Sequence, residues 1–214
     1  MMTHSFSSLQ QFRQCPHLYF RLRIARDVTM GETEDARRGV RVHAQLKDRL
    51  TKGSPLPPEL TDAERLCAQL ERIAQRSDPM RVEEELRAGD FVGKLDVALI
   101  AERAALVVDW KTGKPHADPD QLKMYALLTF ENFPRVDEVV GKYAWLSTGE
   151  ITTHKFLRAD LEALRAEFET TVDEIARTEA GGYWPQRGNP ACPRCPVLEC
   201  RFNTSRDARP APLF

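Results

Sequence analysis

The stretch VEEELRAGDFVGKLDVALIAERAALVVDWKTGK, residues 82–114, constrains this chain more than any other. It holds three apolar runs of strand length. They are separated by Gly89-Asp90 and by the charged pair Glu102-Arg103. That pattern predicts an antiparallel meander of three strands. Charges are set into it: Asp96 in GKLD, and Asp109 and Lys111 in VVDWK. Residues two apart on a strand point to the same face, so Asp109 and Lys111 belong together. Asp96 is carried on the neighbouring strand. Two carboxylates and a lysine are poor core material, each costing several kcal/mol unless paired or bound to metal. A hard divalent cation would remove the carboxylate repulsion. Mg²⁺ takes oxygen ligands and keeps several waters, and such a centre suits attack on a phosphodiester. Lys111 would orient the attacking water or stabilise the transition-state phosphate. An isolated Asp-x-Lys is most often a surface ion pair. Here the apolar run before it places the charges at a strand end beside a core.

The flanking sequence supplies helices. Residues 5–24 read as one helix, with Ser7 or Ser8 as cap and a stripe of Leu9, Phe12, Leu18, Tyr19 and Leu22. Residues 32–50 read as a second, with Val40, His43, Leu46, Lys47 and Leu50 near helical spacing. A Pro-rich loop, 51–60, follows. Thr61 and Glu64 then form a capping-box pattern that opens a third helix to about Gln75. Beyond the meander, 118–133 returns to helix, 136–157 reads as a hairpin turning at 147–150, and 158–180 as a long amphipathic helix. From Gly181 the tail is rich in Pro, Cys and Arg, and little regular structure is expected. No internal repeat or low-complexity tract is present. The order predicts an α/β (α+β) core within one domain: a helical N-terminal segment over residues 1–78, a core over 79–180, and a cysteine-rich tail over 181–214 packing on the first helix.

Composition excludes several classes. The 214 residues are 42% hydrophobic and 29% charged, with a formal net charge of -1. That is unlike a disordered chain and unlike a protein that coats nucleic acid by bulk positive charge, although a local basic groove survives a neutral total. No apolar run reaches the roughly 18 residues a membrane helix needs. The N-terminus lacks a signal pattern, so a cytoplasmic protein with no membrane partner is expected.

Five cysteines, Cys15, Cys67, Cys192, Cys195 and Cys200, are unevenly placed. An odd count in a reducing compartment argues against a disulfide framework. Cys67, flanked by Leu66 and Leu70 on a predicted helix, reads as a buried structural thiol. The C-x₂-C-x₄-C run at 192–200 supports zinc as well as iron–sulfur and needs a fourth ligand. Cys15, Cys192 and Cys195 each precede a proline, a step that recurs beside iron–sulfur clusters.

Five short motifs in order carry a resemblance. SLQQFRQCP spans Ser8 to Pro16, GVRVH Gly39 to His43, GKLD Gly93 to Asp96, DWKTG Asp109 to Gly113, and QLKMY Gln121 to Tyr125. The two aspartates are 13 positions apart. Together these resemble the RecB-like exonuclease branch of the PD-(D/E)XK nuclease superfamily, across nearly the whole chain. The resemblance implies a restriction-endonuclease-like core, a central mixed sheet flanked by helices. It implies Mg²⁺ or Mn²⁺ held by the side chains of His43, Asp96 and Asp109 and by the carbonyl of Trp110. Lys111 would be the catalytic lysine, supported by Gln121 and Tyr125, one helical turn apart on a face lining the nucleic-acid path. An acidic residue before GKLD completes such sites. Glu83, Glu84 and Glu85 compete for the place, and Glu84 is preferred by a small margin. Some members hold a [4Fe–4S] cluster on one early and three late cysteines. Cys15, Cys192, Cys195 and Cys200 match that layout, which would join the chain ends; zinc is the alternative.

The expected function is a metal-dependent DNA exonuclease preferring single-stranded ends, in recombination, repair, phage or CRISPR-linked processing, alone or with a protein partner. Arg13, Arg21, Arg23 and Arg26 in the first helix and Arg187, Arg194, Arg201, Arg206 and Arg209 in the tail would form a positive wall. Tyr19, Phe20, Tyr183 and Trp184 could stack on bases. A non-catalytic DNA-binding or assembly module and a structure-dependent endonuclease are the alternatives.

Overall fold

A computed structural model describes residues 3–75 and 79–204; Arg206 and Arg209 lie outside them. The chain divides into two compact units. The first comprises residues 1–6 and 33–166, the second residues 7–32 and 167–214.

The first unit is built on a five-stranded mixed sheet in the order β1-β2-β3-β4-β5. β1 (Arg81–Ala88), β2 (Phe91–Ile100) and β3 (Ala104–Lys111) form the expected antiparallel meander. β4 (Glu138–Trp145) lies parallel to β3, and β5 (Glu150–Leu157) returns antiparallel to β4. The parallel step requires a crossover, which α5 (Asp120–Asn132) provides. α5 is apolar around most of its girth, and Leu122, Met124, Ala126, Leu127 and Leu128 are buried. Two glycines let it approach the sheet. A Cβ on Gly93 of β2 would stand 2.6 Å from Leu128 Cδ1 and 3.2 Å from Tyr125 Cε1. A Cβ on Gly141 of β4 would stand 3.2 Å from the Leu122 Cβ.

Two further helices build a second core against the sheet. α3 (Glu34–Lys52) and α4 (Thr61–Ala74) bring Val42, Leu46, Ala63, Cys67 and Leu70 onto Val97, Leu99, Val108 and Trp110. Arg49 of α3 ties them together through Glu64, at 2.6–2.9 Å, and Glu71. Strand alternation puts Val108 and Trp110 on this side and Asp109 and Lys111 toward α5.

The second unit holds α1 (Phe6–Gln14) from its second residue, α2 (Pro16–Tyr19), a π-helical turn Phe20–Ile24 and the tail. The boundary between the units, Ala166/Glu167, falls within α6 (Leu161–Ala180). The tail packs on the first helices. Arg187 donates to the Arg13 carbonyl, His17 N–H to Pro185 O at 3.2 Å, and Asn189 Nδ2 to Gln14 O at 3.4 Å. Trp184 stacks on Tyr19 and Phe20. No helix among the described residues is long and apolar enough to cross a membrane.

Three local expectations are corrected. The single helix over 5–24 is broken at Cys15, whose φ of -161° and ψ of 105° are extended. The ring of Pro16 disfavours the helical region for the residue before it, so the chain restarts with Pro16 in the first turn. Val40 is not on the buried stripe of α3: it is 72% exposed, and Val42 and Leu46 face the core. Thr61 and Glu64 form no capping box. A 3₁₀ turn, Pro58–Leu60, leads into α4, Thr61 Oγ1 donates back to Pro58 O at 2.6 Å, and Glu64 is taken by Arg49.

Candidate active site

The site stands where β2 and β3 part. Their ladder runs from Ile100↔Ala105 to Val97↔Val108 and ends there. The next groups on each strand are Asp96 and Asp109. Instead of a further backbone bond, the Trp110 N–H donates to Asp96 Oδ2 at 2.9 Å. A buried amide thus finds its acceptor on a carboxylate, which fixes Asp96 beside β3. Asp96 and Asp109 are 8% and 2% exposed.

From α3, His43 reaches the same point. Its Nδ1 lies 3.3 Å from Asp96 Oδ1 and its Nε2 3.0 Å from the Trp110 carbonyl oxygen. The hydrogen bond to Asp96 holds the imidazole above its ordinary pKa. From β1 comes Glu83. His43, Glu83 and Asp96 each present a ligand atom, and all three lie within 4.8 Å of one another. Together the three could hold a metal ion. An imidazole with carboxylates and a nearby carbonyl is a donor set for Mn²⁺ or Mg²⁺.

Glu83, rather than Glu84, enters this group. Val82 pairs with Val97 and Glu84 with Leu95, which sets Glu83 opposite Asp96. Glu83 has φ +53°, in the left-handed region. Its carboxylate also meets Lys94 Nζ at 2.8 Å and Lys47 Nζ at 3.3 Å, and these lysines hold it below the ordinary carboxylate pKa. Glu84 is instead paired with Arg81 at 2.8 Å, and Glu85 with Arg87 at 2.7 Å. Neither Lys47 nor Lys94 has a role in the sequence-based expectations, although Lys94 lies within GKLD. The signal that could have found them is spacing: Lys47 is one turn beyond His43, and Lys94 two residues before Asp96.

On the α5 side, Lys111 Nζ lies 2.6 Å from Asp109 Oδ2 and donates to Gln121 Oε1 at 2.6 Å. Gln121 Nε2 donates to Asp109 Oδ1 at 3.0 Å and to Tyr125 Oη at 2.8 Å. Every polar atom of the Gln121 amide is committed, so its orientation follows from its partners. The Tyr143 ring lies 5.2 Å from Lys111 Nζ. Burial pushes the Asp109 carboxyl up to about 6, against the opposing pull of Lys111. Asp109 is thus joined to Lys111 and Gln121, while Asp96 and Trp110 are joined to His43.

In the second unit, Cys15, Cys192, Cys195 and Cys200 line one cavity of about 210 Å³, with Gln14, Asn189 and Asn203. None of the four is in a disulfide. The Asn189 N–H points at Cys192 Sγ, 3.2 Å away, and Asn203 holds the loop through Cys195 O and Val197 O at 2.9 and 3.0 Å. They share a cavity without closing into a tight ligand group like that of His43, Glu83 and Asp96. Cys67 is fully buried in the other unit, as expected. The expected basic wall is partly spent internally: Arg13 bonds Thr171 at 2.9 Å, and Arg21 bonds Asp27 and Glu199.

A family model described as the PD-(D/E)XK nuclease superfamily matches residues 3–88 and 71–200. Among solved structures, the chain resembles a protein from Eubacterium rectale described as "Putative exonuclease", with a TM-score of 0.55 at 15% identity, covering 98% of this chain and 89% of that one. SSO0001 overlaps less closely, with a TM-score of 0.41 at 16% identity over 95% of this chain and 88% of its own. Among curated proteins none matches the sequence.

Proposed function

The chain belongs to the PD-(D/E)XK nuclease superfamily, and from that premise we propose that it is a metal-dependent deoxyribonuclease, an exonuclease that starts at single-stranded DNA ends. The observation that carries this is the meeting of two charge groups at one break in the sheet: His43, Glu83 and Asp96 on one side, Asp109, Lys111 and Gln121 on the other. The exonuclease assignment draws on the fold shared with the Eubacterium rectale protein.

His43, Glu83, Asp96, Asp109 and the Trp110 carbonyl are the groups that would hold Mg²⁺ or Mn²⁺. When bound, the cation supplies positive charge against the phosphoryl oxygens and lowers the pKa of water. The chain does the rest. Lys111 is held in place by Asp109 and Gln121. Its ammonium is aimed to orient the attacking water and to meet charge developing on the phosphate. Gln121 and Tyr125 are positioning residues, since they act through Lys111 and Asp109.

We further assign to Cys15, Cys192, Cys195 and Cys200 a structural metal, a [4Fe–4S] cluster with zinc as the alternative. Their soft donors and common cavity support it.

The deciding experiment follows single-stranded DNA labelled at either end, with Mg²⁺ or Mn²⁺ and anaerobically purified protein. Wild type should degrade it progressively from one end. Lys111→Ala should be slower by about 10²–10³-fold, the loss typical of one transition-state donor, while Mn²⁺ binding measured by calorimetry persists. Cleavage of closed single-stranded circles would favour the endonuclease alternative. Equal inertness of both proteins with DNA bound would favour a binding module.

A further inference from the structure

Glu83 is an unusual residue for the middle of a strand. Its neighbours Val82 and Glu84 both keep their cross-strand partners, yet its own φ is +53°. A non-glycine residue there costs on the order of 1 kcal/mol or more and persists where its surroundings hold it. Two lysines hold it. One carboxylate oxygen, Oε2, accepts both Lys94 Nζ at 2.8 Å and Lys47 Nζ at 3.3 Å. The Glu83 side chain is 19% exposed, whereas the two lysine side chains are 54% and 49% exposed. The same Glu83 carboxylate belongs to the tight group with His43 and Asp96.

One carboxylate therefore serves two competing sets of cations. A divalent ion beside His43, Glu83 and Asp96 would add two positive charges next to two ammonium groups, and like charges at such range repel. Both lysines are long, half-exposed and free to swing about their stems. Neither can travel far. Lys47 is four residues after His43 on α3, about 6 Å of helix rise, and Lys94 is two residues before Asp96 on β2, about 7 Å of strand. Displaced from Glu83, both ammonium groups remain one short step from the reaction centre, facing whatever anion lies beside it. In a nuclease that anion is the phosphate neighbouring the one being cut.

We propose that Lys47 and Lys94 form a phosphate-binding pair for the DNA strand, held closed by Glu83 in the metal-free chain and released when a divalent cation takes the Glu83 carboxylate. The proposal rests on the nuclease reading. It makes substrate grip depend on the cation being in place, so that the strand is held firmly only by a chain ready to cut it.

The test uses the full chain, a fluorescent single-stranded oligodeoxynucleotide, and anisotropy titrations in EDTA over a range of salt. Glu83→Gln should release the lysines without metal. It should bind roughly threefold to tenfold tighter than wild type, with a salt slope steeper by about 1.4, two phosphates at about 0.7 each on a single strand. Glu85→Gln makes the same charge change on the same strand, where Glu85 pairs with Arg87 among the described residues, and should show neither effect. Adding Lys47→Met and Lys94→Met to Glu83→Gln should abolish the gain. In calorimetry without DNA, the Lys47→Met/Lys94→Met chain should bind Mn²⁺ roughly threefold to tenfold tighter than wild type, because Glu83 is no longer shared. The proposal is overturned if Glu85→Gln gains as much as Glu83→Gln, if the gain survives loss of both lysines, or if Mn²⁺ affinity is unchanged. Should those outcomes occur while wild type still cuts DNA and Lys111→Ala does not, the lysine pair alone falls. Should wild type neither bind nor cut, the nuclease reading falls and takes the pair with it.

Discussion

Asp109 shows how a site strains the residues that compose it. Its carboxyl keeps a proton in the folded, metal-free chain up to about pH 6, whereas an unfolded aspartate releases it near 4. Between those values the folded state binds more protons, so the stability of the metal-free chain falls as pH rises. His43 adds the same sign higher up. Its pKa is raised by Asp96, so its contribution is full below the ordinary imidazole value and is lost as pH climbs through the raised one. Asparagine imitates the protonated acid and can still accept from Gln121. Asp109→Asn in EDTA should therefore melt higher than wild type at pH 7.5, by an amount worth about 1–3 kcal/mol, and converge with it below pH 4. Mn²⁺ should raise the wild-type midpoint at pH 7.5 and leave the variant's nearly unmoved. Thermal scans across pH would check this; a wild-type advantage over the variant in EDTA at pH 7.5 would sink the idea that burial dominates at Asp109. Asp109 and Lys111 were legible as a pair because they stand two apart on a strand, whereas the link of Gln121 and Tyr125 to the lysine came only from the resemblance. Glu83 was not legible. Three consecutive glutamates look alike, and no composition signals a left-handed backbone at a non-glycine residue. Of its partners, Lys94 sits on the next strand and Lys47 comes from α3, 36 positions earlier.

At the scale of elements, α5 depends on how closely it lies against the sheet, because Gln121 and Tyr125 ride on it. Gly93 sets that approach. Its missing side chain leaves room for Leu128 and Tyr125, and a Cβ would meet them at 2.6 and 3.2 Å. Leu128 can turn aside, but Tyr125 is hydrogen-bonded to Gln121. Gly93→Ala should therefore destabilise the chain by about 1–3 kcal/mol, read as a lower urea midpoint with an unchanged slope. Its cleavage rate should also fall while the His43, Glu83 and Asp96 group still takes up Mn²⁺. An unchanged rate would mean that α5 can shift without disturbing Lys111. The meander, the helix over 118–133 and the hairpin were legible because apolar runs of strand or helix length are bounded there by turn residues. The errors concern where elements break and which of their residues are buried. Cys15 broke a helix that an apolar stripe alone suggested, although the proline after it was in plain view. The Thr61–Glu64 pattern was misread because Arg49, fifteen positions earlier, captures Glu64.

For the whole molecule, the question is what the thiols at both ends of the chain do. Cys15 and Cys200 are 185 positions apart in a 214-residue chain, yet they line one cavity of the second unit. A cross-link closing a loop of that length removes much of the freedom of the unfolded state, about 5 kcal/mol in the chain-entropy account of a disulfide. A metal held by both ends would act likewise, and its binding energy would add to folding. The first unit offers an internal control. Cys67 is buried in its core, with its thiol pushed up to about 11 by that burial, and it is remote from such chemistry. Cys15→Ser should lose the metal and melt well below wild type. Cys67→Ser should melt somewhat lower, through lost packing alone, and keep its full metal content. Elemental analysis of anaerobically purified protein decides the cofactor as well. Iron with matching acid-labile sulfide supports the cluster, and stoichiometric zinc supports the alternative. If wild type carries neither and melts no higher than Cys15→Ser, the four cysteines are free thiols, and the two ends of the second unit are joined by contacts such as Arg187 with Arg13 and Asn189 with Gln14.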